Sequence, residues 1–238
     1  MLILAIDTSG HAGSVALLDG DRLVAEVGLD SGCRSAQTLA PAIVSILAEQ
    51  SRAPSEVSLV ATTIGPGSFT GLRIGVTAAK TFAYATGAGV LGVSTLEALA
   101  HQATFDRLVG LESEIHAVLD AQRQEVYLGR FAVEPVANAG EQLPQLTRLE
   151  GDHIVAAQAW LSSLSPGTVV TGGIERLLDR LPTAVTVVAP PLRDVQAATV
   201  GRLAWRDYQL GRRDDLWKLA PVYLRPSYAE EKASRSTR

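Results

Sequence analysis

The sequence of 238 residues contains one cysteine, one methionine and four histidines, and each scarcity closes off a class of function. A lone Cys33 cannot form an internal disulfide, so a reducing compartment is expected, and no motif neighbour marks it as a nucleophile. His11, His101, His116 and His153 are scattered, without an H-x-x-H, H-x-x-x-H or H-E-x-x-H pair, and no metal site is expected from them. There is no G-x-S-x-G elbow, and Ser68 lacks a recognisable base. The chain also has no apolar run of the ~18 residues that would suggest a membrane span. Its opening, MLILAIDTSG, is too short and too soon followed by Asp7 for a secretory signal, so a cytoplasmic location and no membrane partner are expected. A basic excess is missing too: the formal charge is -4 with a pI near 5.6, unlike a protein that grips RNA by itself. Lys218, Arg225, Lys232, Arg235 and Arg238 gather near the end. A solvated, frayed terminus is the preferred reading there, with an RNA-touching tail as the alternative.

What is present describes a folded α/β chain. Hydrophobic residues make up 47% and charged ones 19%, too apolar for disorder, and the length allows one large domain or two lobes. Residues 2–6, 14–18 and 23–29 read as three consecutive strands joined by tight turns. A helix follows over 35–50, with Leu39, Ile43, Ile46 and Leu47 on one stripe, and Pro54 stops it. Then come a strand at 58–64, the turn-rich GPGSFTG, a helix at about 70–86, a strand at 89–93 and a helix at about 95–102. A second unit repeats the opening. In AIDTSGHAGSVAL and in VLDAQRQEVYLGR an apolar strand ends at an aspartate, a short turn follows and a second strand leaves, which suggests an internal duplication. Its further elements are predicted as a strand at 125–133, a helix at 153–163 and a strand at 168–171. Gly172-Gly173 opens a helix in this reading, followed by a strand at 184–188 and a helix at 195–209. Residues 134–150 read as a polar surface excursion, and the end, PVYLRPSYAEEK with Pro221 and Pro226, as an extended segment able to cross back to the first lobe. The expected division is 1–103 and 104–238, with about 214–238 packing back on the first lobe.

Three places can carry chemistry. Asp7, Thr8 and Ser9 close the first strand, and Asp120 stands at the equivalent place in the second unit; such a carboxylate-and-hydroxyl turn can hold a metal–phosphate group or simply cap a strand. The run Gly65-Pro66-Gly67-Ser68-Phe69-Thr70-Gly71 delivers backbone N–H groups onto a helix start, with Ser68 or Thr70 as N-cap. It is neither a Walker loop nor a Rossmann fingerprint, and a structural turn and an anion cradle both stand as readings. The helix behind it, from Leu72 to Ala85, carries only Arg73 and Lys80 as charges, so it must be covered on more than one side, by its own sheet and by a partner or by one lobe alone.

AIDTSGHAGSVAL, GPGSFTGLRIG, GVSTLEALA, LDAQRQEVY and PVYLR, in that order, resemble the TsaB (YeaZ) family over nearly the whole chain, most weakly over about 134–215. GPGSFTGLRIG followed by GVSTLEAL is the specific part. The resemblance implies the two-lobed actin/Hsp70/sugar-kinase (ASKHA) fold with duplicated mixed-sheet lobes. It also implies a non-catalytic scaffold subunit in tRNA N6-threonylcarbamoyladenosine synthesis. Such a subunit supports a TsaD-type catalytic subunit, helps recruit a TsaE-type ATPase, reaches tRNA only through the complex, and pairs with itself when alone. Where the TsaD pattern has an H-x-x-x-H metal pair, alignment on the shared motifs puts Thr95 and Leu99, which cannot replace it. The partner surface would be the first two helices, with Leu39, Ile43, Ile46, Ile74, Ala78 and Phe82 as candidate contacts. Asp7, Thr8, Ser9, Gly65, Gly67, Ser68, Thr70, Asp120, Gly172 and Gly173 would form a vestigial nucleotide site, with ATP or ADP bound weakly, at a partner interface, or not at all. Gln122 and Ser35 depart from the family's usual residues. The competing readings are an active ATP-dependent phosphotransferase of the same fold, using Asp7 or Asp120, and a peptidase, for which neither a metal pair nor an activated nucleophile is visible.

Overall fold

The computed structural model describes residues 1–29, 35–105, 109–110, 113–134 and 145–225. Cys33, Pro226, Lys232, Arg235 and Arg238, together with most of the 134–150 excursion, lie outside them. The chain opens with β1 (Leu2–Asp7), β2 (Ser14–Asp19) and β3 (Arg22–Gly28), paired antiparallel in sequence. Helix α1 (Ser35–Glu49) and β4 (Val57–Gly65) follow, then α2 (Phe69–Thr86), β5 (Gly89–Ser94) and α3 (Thr95–Ala103). β4 adds parallel to β1 and β5 parallel to β4, giving a mixed sheet in the order β3-β2-β1-β4-β5.

The second lobe repeats the plan. β6 (Glu114–Asp120) and β7 (Glu125–Val133) form an antiparallel pair, with β8 (Leu146–Arg148) and β9 (His153–Ala156) both on β7. After α4 (Ala157–Ser163), β10 (Val169–Thr171) pairs parallel with β6 and β11 (Thr186–Val187) parallel with β10. Helix α5 (Ala197–Gln209) closes the lobe. β1–β2 and β6–β7 are thus two versions of one hairpin, ending at Asp7 and Asp120 in register with Ser14 and Val126. The fold is the two-lobed ASKHA type.

Four sequence expectations need correction. Residues 153–156 are strand rather than helix, because β-branched Ile154 and Val155 extend along β7 and the helix begins only at Ala157. Leu146–Arg148, within the expected excursion, forms β8. Gly172-Gly173 opens no α-helix: Gly172 has φ +106 against the Val118 carbonyl, and a 3-10 segment, Glu175–Arg180, follows Ile174. The strand expected at 184–188 is only the two residues of β11.

Packing also joins the parts of the chain before and after 103/104. One buried cluster joins Ile3, Ala5, Ala16 and Leu18 of the first sheet to Leu96 and Leu99 of α3, Ile115, Ala117 and Phe131 of the second sheet, and Val200, Leu203 and Ala204 of α5. α5 lies on the first sheet: Gly201 meets Leu18 and Ala5, and the Ala197 N–H donates to Ser14 Oγ at 2.8 Å. Residues 214–225 also run along the first lobe. The Gly92 N–H donates to Asp214, Lys80 donates to the carbonyls of Trp217 and Leu219, and the Val222 N–H donates to the Ile64 carbonyl.

Candidate functional site

The two strand–Asp–strand hairpins face each other across a cleft of about 980 Å³. One wall carries Ser9, His11, Gly67 and Ser68, the other Asp120, Arg123 and Tyr127, and Gly173, Arg176 and Arg193 close the side. Of the residues expected at a nucleotide site, Ser9, Gly67, Ser68, Asp120 and Gly173 line this cleft; Asp7, Thr8, Gly65, Thr70 and Gly172 are not among its lining residues.

Asp7 lies behind the wall, wholly buried. Its Oδ1 accepts from the Ser9 N–H, the Ser9 hydroxyl and the Thr63 hydroxyl at 3.1, 2.7 and 2.8 Å, while Oδ2 has no partner. Burial, only partly offset by those hydrogen bonds, pushes its carboxyl up to about 6. This carboxylate is tied through Oδ1 to its own turn and to Thr63 of β4, and it is not among the residues that line the cleft. The glycine loop is tied to that turn as well. The Ser68 N–H donates to the Ser9 carbonyl at 2.8 Å, the Thr8 hydroxyl donates to the Gly71 carbonyl at 2.7 Å, and the Gly71 N–H donates to Ser68 Oγ. A Cβ on Gly67 would lie 2.5 Å from the Ser9 carbonyl, and one on Gly71 or Gly75 would strike Thr8. These glycines therefore let α2 lie directly on the Asp7–Ser9 turn, and the loop's N–H groups at Ser68 and Gly71 are already used internally.

The opposite hairpin is strained. Gln122, Arg123 and Gln124 have φ of 63, 54 and 61°, three successive left-handed residues without a glycine. Each such residue costs of order 1–2 kcal/mol unless the surroundings hold it. Here the Gln122 N–H donates to Asp120 Oδ1 at 2.7 Å, the Ala157 N–H donates to the Gln124 carbonyl at 2.8 Å, and Arg225 reaches both the Ala121 carbonyl and the Glu125 carboxylate. Some of the cleft's charged groups have partners in place. Arg176 lies 3.3 Å from Asp120, Arg193 3.6 Å from Glu175, and Arg180 donates to Gln158 at 2.7 Å. Thr95 and Leu99 of α3 line the cleft, both almost fully buried, and offer one unpartnered hydroxyl and a hydrocarbon. They do not fit a metal such as iron or zinc, and no group of three or more His, Cys, Asp or Glu among the described residues is placed to hold one.

The second candidate surface is the outer face of α1 and α2. Leu39, Ile43 and Ile46 are 2, 7 and 2% exposed, packed under α1 against the first sheet. These three, expected from the family resemblance as partner contacts, are part of the lobe's own core and have little exposed surface to offer. Ile74, Ala78 and Phe82 are partly covered beside that core. What α1 and α2 turn outward includes Gln37, Ala40, Pro41, Val44, Ser45, Ala48 and Glu49, with Phe69, Thr70, Arg73, Thr77, Thr81, Tyr84 and Ala85. Arg225 and Tyr223 were missed as site residues, because no local pattern links them to partners a hundred or more positions away.

The comparisons with known proteins agree with this architecture. The family model described as TsaD, tRNA N6-adenosine threonylcarbamoyltransferase, matches residues 32–169, more than half of the chain. The tRNA threonylcarbamoyladenosine biosynthesis protein TsaB of Bacillus subtilis is 39% identical over 132 residues, 55% of each chain. TsaB of Haemophilus influenzae is 26% identical over 94% of each. The structure of YeaZ from Pseudomonas aeruginosa superposes with a TM-score of 0.74 at 26% identity, covering 94% of this chain and 99% of that one. The chain belongs to the TsaB (YeaZ) family. The match to the B. subtilis protein spans little more than half the length of that relative, within a family named for tRNA threonylcarbamoyladenosine biosynthesis. Among the described residues no helix is long and apolar enough to cross a membrane.

Proposed function

We propose that this chain is a non-catalytic scaffold subunit in the synthesis of threonylcarbamoyladenosine in tRNA, docking a TsaD-type catalytic subunit on the outer face of α1 and α2. The observation that carries the reading is the near absence of charge on that face. Across the two helices the exposed residues are Gln37, Ala40, Pro41, Val44, Ser45, Ala48, Phe69, Thr70, Thr77, Thr81, Tyr84 and Ala85, with Glu49 and Arg73 as the exposed charges and Lys80 half-buried. A solvent face ordinarily carries many more, and depletion of charge is the compositional mark of an interface core. Recruitment of a TsaE-type ATPase, self-pairing of the isolated chain and contact with tRNA through the complex alone belong to the same reading.

The cleft supports the non-catalytic half of the proposal. Its phosphate-side loop is packed on its own turn, its Asp7 is fully buried and not a lining residue, and α3 presents Thr95 and Leu99 where a metal-binding relative would need imidazoles. An active phosphotransferase would need an acid within reach of a substrate hydroxyl. Asp7 is covered, and Asp120 is engaged by the Gln122 N–H and Arg176. The test is Val44→Asp with Thr77→Asp, which place charge on exposed positions and leave the core intact. Complex formation with the TsaD-type subunit is expected to fall by two orders of magnitude or more, as desolvating two unpaired carboxylates costs on the order of 3 kcal/mol or more. Unimpaired binding by both variants would remove the proposed face.

A further inference from the structure

The segment of residues 214–225 runs from the first sheet across α2 to the β6–β7 hairpin. It starts at the outer edge of the first sheet, where Asp214 accepts from the Gly92 N–H and Arg212 donates to the Gly92 carbonyl. It crosses α2, held by Lys80, and buries Leu219 in the core beneath. Trp217 meets Tyr84 edge-on at 5.7 Å near the end of that helix. At the helix start, Tyr223 lies against Phe69 at 4.8 Å and its hydroxyl accepts from Arg73 at 3.0 Å. Two residues later the chain has reached the second lobe, where Arg225 grips the Ala121 carbonyl and the Glu125 carboxylate.

Arg225 therefore closes the strained turn from outside the hairpin. With three successive left-handed residues, 122–124 hold a conformation that their own backbone does not favour. The turn's backbone is closed by the Ala121 N–H on the Glu125 carbonyl and the Glu125 N–H on the Gln122 carbonyl, and it is anchored from outside by the Asp120 side chain, the Ala157 N–H and this guanidinium. Loss of an outside anchor leaves the strained backbone with less to hold it. Phe69 belongs to both ends of the linkage: it stacks on Tyr223, and its side lines the cleft.

We propose that residues 214–225 form a strap that couples the left-handed turn 121–125 at the cleft mouth to the start of α2, so that docking on the α2 face and the state of the cleft regulate each other. Anything that displaces Tyr223 from Phe69 and Arg73 slackens Arg225 and releases the turn; anything that draws the turn into the cleft pulls Tyr223 on α2. The regulatory half rests on the scaffold reading, whereas the linkage itself is a property of the chain alone.

The test is hydrogen exchange on the isolated chain, comparing wild type with Arg225→Gln, Glu125→Gln and Tyr223→Ala. Each substitution removes one anchor of the strap and spares the core, and Glu125→Gln breaks the same ion pair while leaving the strap's sequence intact. Coupling requires all three to speed exchange both in 121–125 and in the first turn of α2, by about fivefold or more, the lower end of ordinary site-to-site coupling. If Arg225→Gln and Glu125→Gln loosen only the turn, and Tyr223→Ala only the helix start, the strap proposal is overturned. In a second arm, Arg225→Gln weakens binding to the TsaD-type subunit about fivefold or more, although Arg225 is not on the α1–α2 face; unchanged binding removes the regulatory half. Failure of the wild-type chain to bind that subunit would overturn the scaffold reading and with it the regulatory half, while the exchange result still decides the linkage.

Discussion

Asp7 and the buried histidines pull the pH dependence of stability in opposite directions, and the signs follow from their surroundings. Burial raises the Asp7 carboxyl to about 6, so between its ordinary value and 6 the folded state holds a proton that the unfolded state has released. Stability from this group therefore falls as pH rises through that window. His101 is the reverse: burial and the neighbouring Arg206 hold it down at about 4, so from pH 4 to 6.5 the unfolded state binds the extra proton and stability rises. His116 belongs with it. Its Nδ1 accepts from Trp160 Nε1 at 3.1 Å, which puts the neutral ring's proton on Nε2, facing Glu114 at 2.8 Å, and burial lowers its pKa. Asp7→Asn isolates the first effect. Urea unfolding of the two proteins is expected to agree near pH 4, with the variant gaining on wild type by on the order of 3 kcal/mol by pH 7. A constant difference across that range would mean that Asp7 titrates normally. The aspartates at the strand ends were legible in the sequence as site candidates. Which of them faces the cleft was not, since Asp7 is withdrawn by Ser9 and Thr63, the second 56 positions away.

Helices and strands were mostly legible because their apolar periods are strong, and the misreadings fall where two periods compete. Residues 153–163 carry enough apolar residues for a helix, but Ile154 and Val155 find a partner strand in β7, and pairing across the lobe overrides the local pattern. The α1 stripe of Leu39, Ile43 and Ile46 is legible as a covered face, but periodicity marks which residues are covered and not what covers them, and here it is the first lobe's own core. For α2 the deciding signal is its glycines. Gly71 and Gly75 weaken a helix intrinsically, yet a Cβ at either would strike Thr8. Gly71→Ala, meeting the Thr8 backbone carbonyl, should destabilise by about 1–3 kcal/mol despite a helix-propensity gain of up to about 1 kcal/mol. Chemical denaturation checks this; a net stabilisation would show that α2 does not lie on the Asp7–Ser9 turn.

At the scale of the whole molecule, the two lobes share one core, with α3 packed against both sheets and α5 against the first. Arg206 strengthens the junction, reaching Glu97 and Asp207 at 2.8 and 2.7 Å, while Arg148 of the second lobe reaches the same Glu97 at 3.4 Å. Such lobes should unfold together. Leu99→Ala, at a fully buried position of α3, should cost about 2–5 kcal/mol and lower a single calorimetric transition rather than split it; two separate transitions would contradict the shared core. The duplicated strand–Asp–strand opening made the two-lobed plan visible in the sequence. The exchange of helices between lobes was invisible, because it depends on contacts between α5 and strands some 180 residues earlier. The proposed role requires the two-lobed body to offer a charge-poor helical face to a catalytic partner. Size-exclusion chromatography with light scattering, on this chain alone and mixed with the TsaD-type subunit, is the first test of it. A new species of heterodimer mass is expected, lost on Val44→Asp and Thr77→Asp in folded protein. A mixture that elutes as its separate components under every nucleotide condition would contradict it.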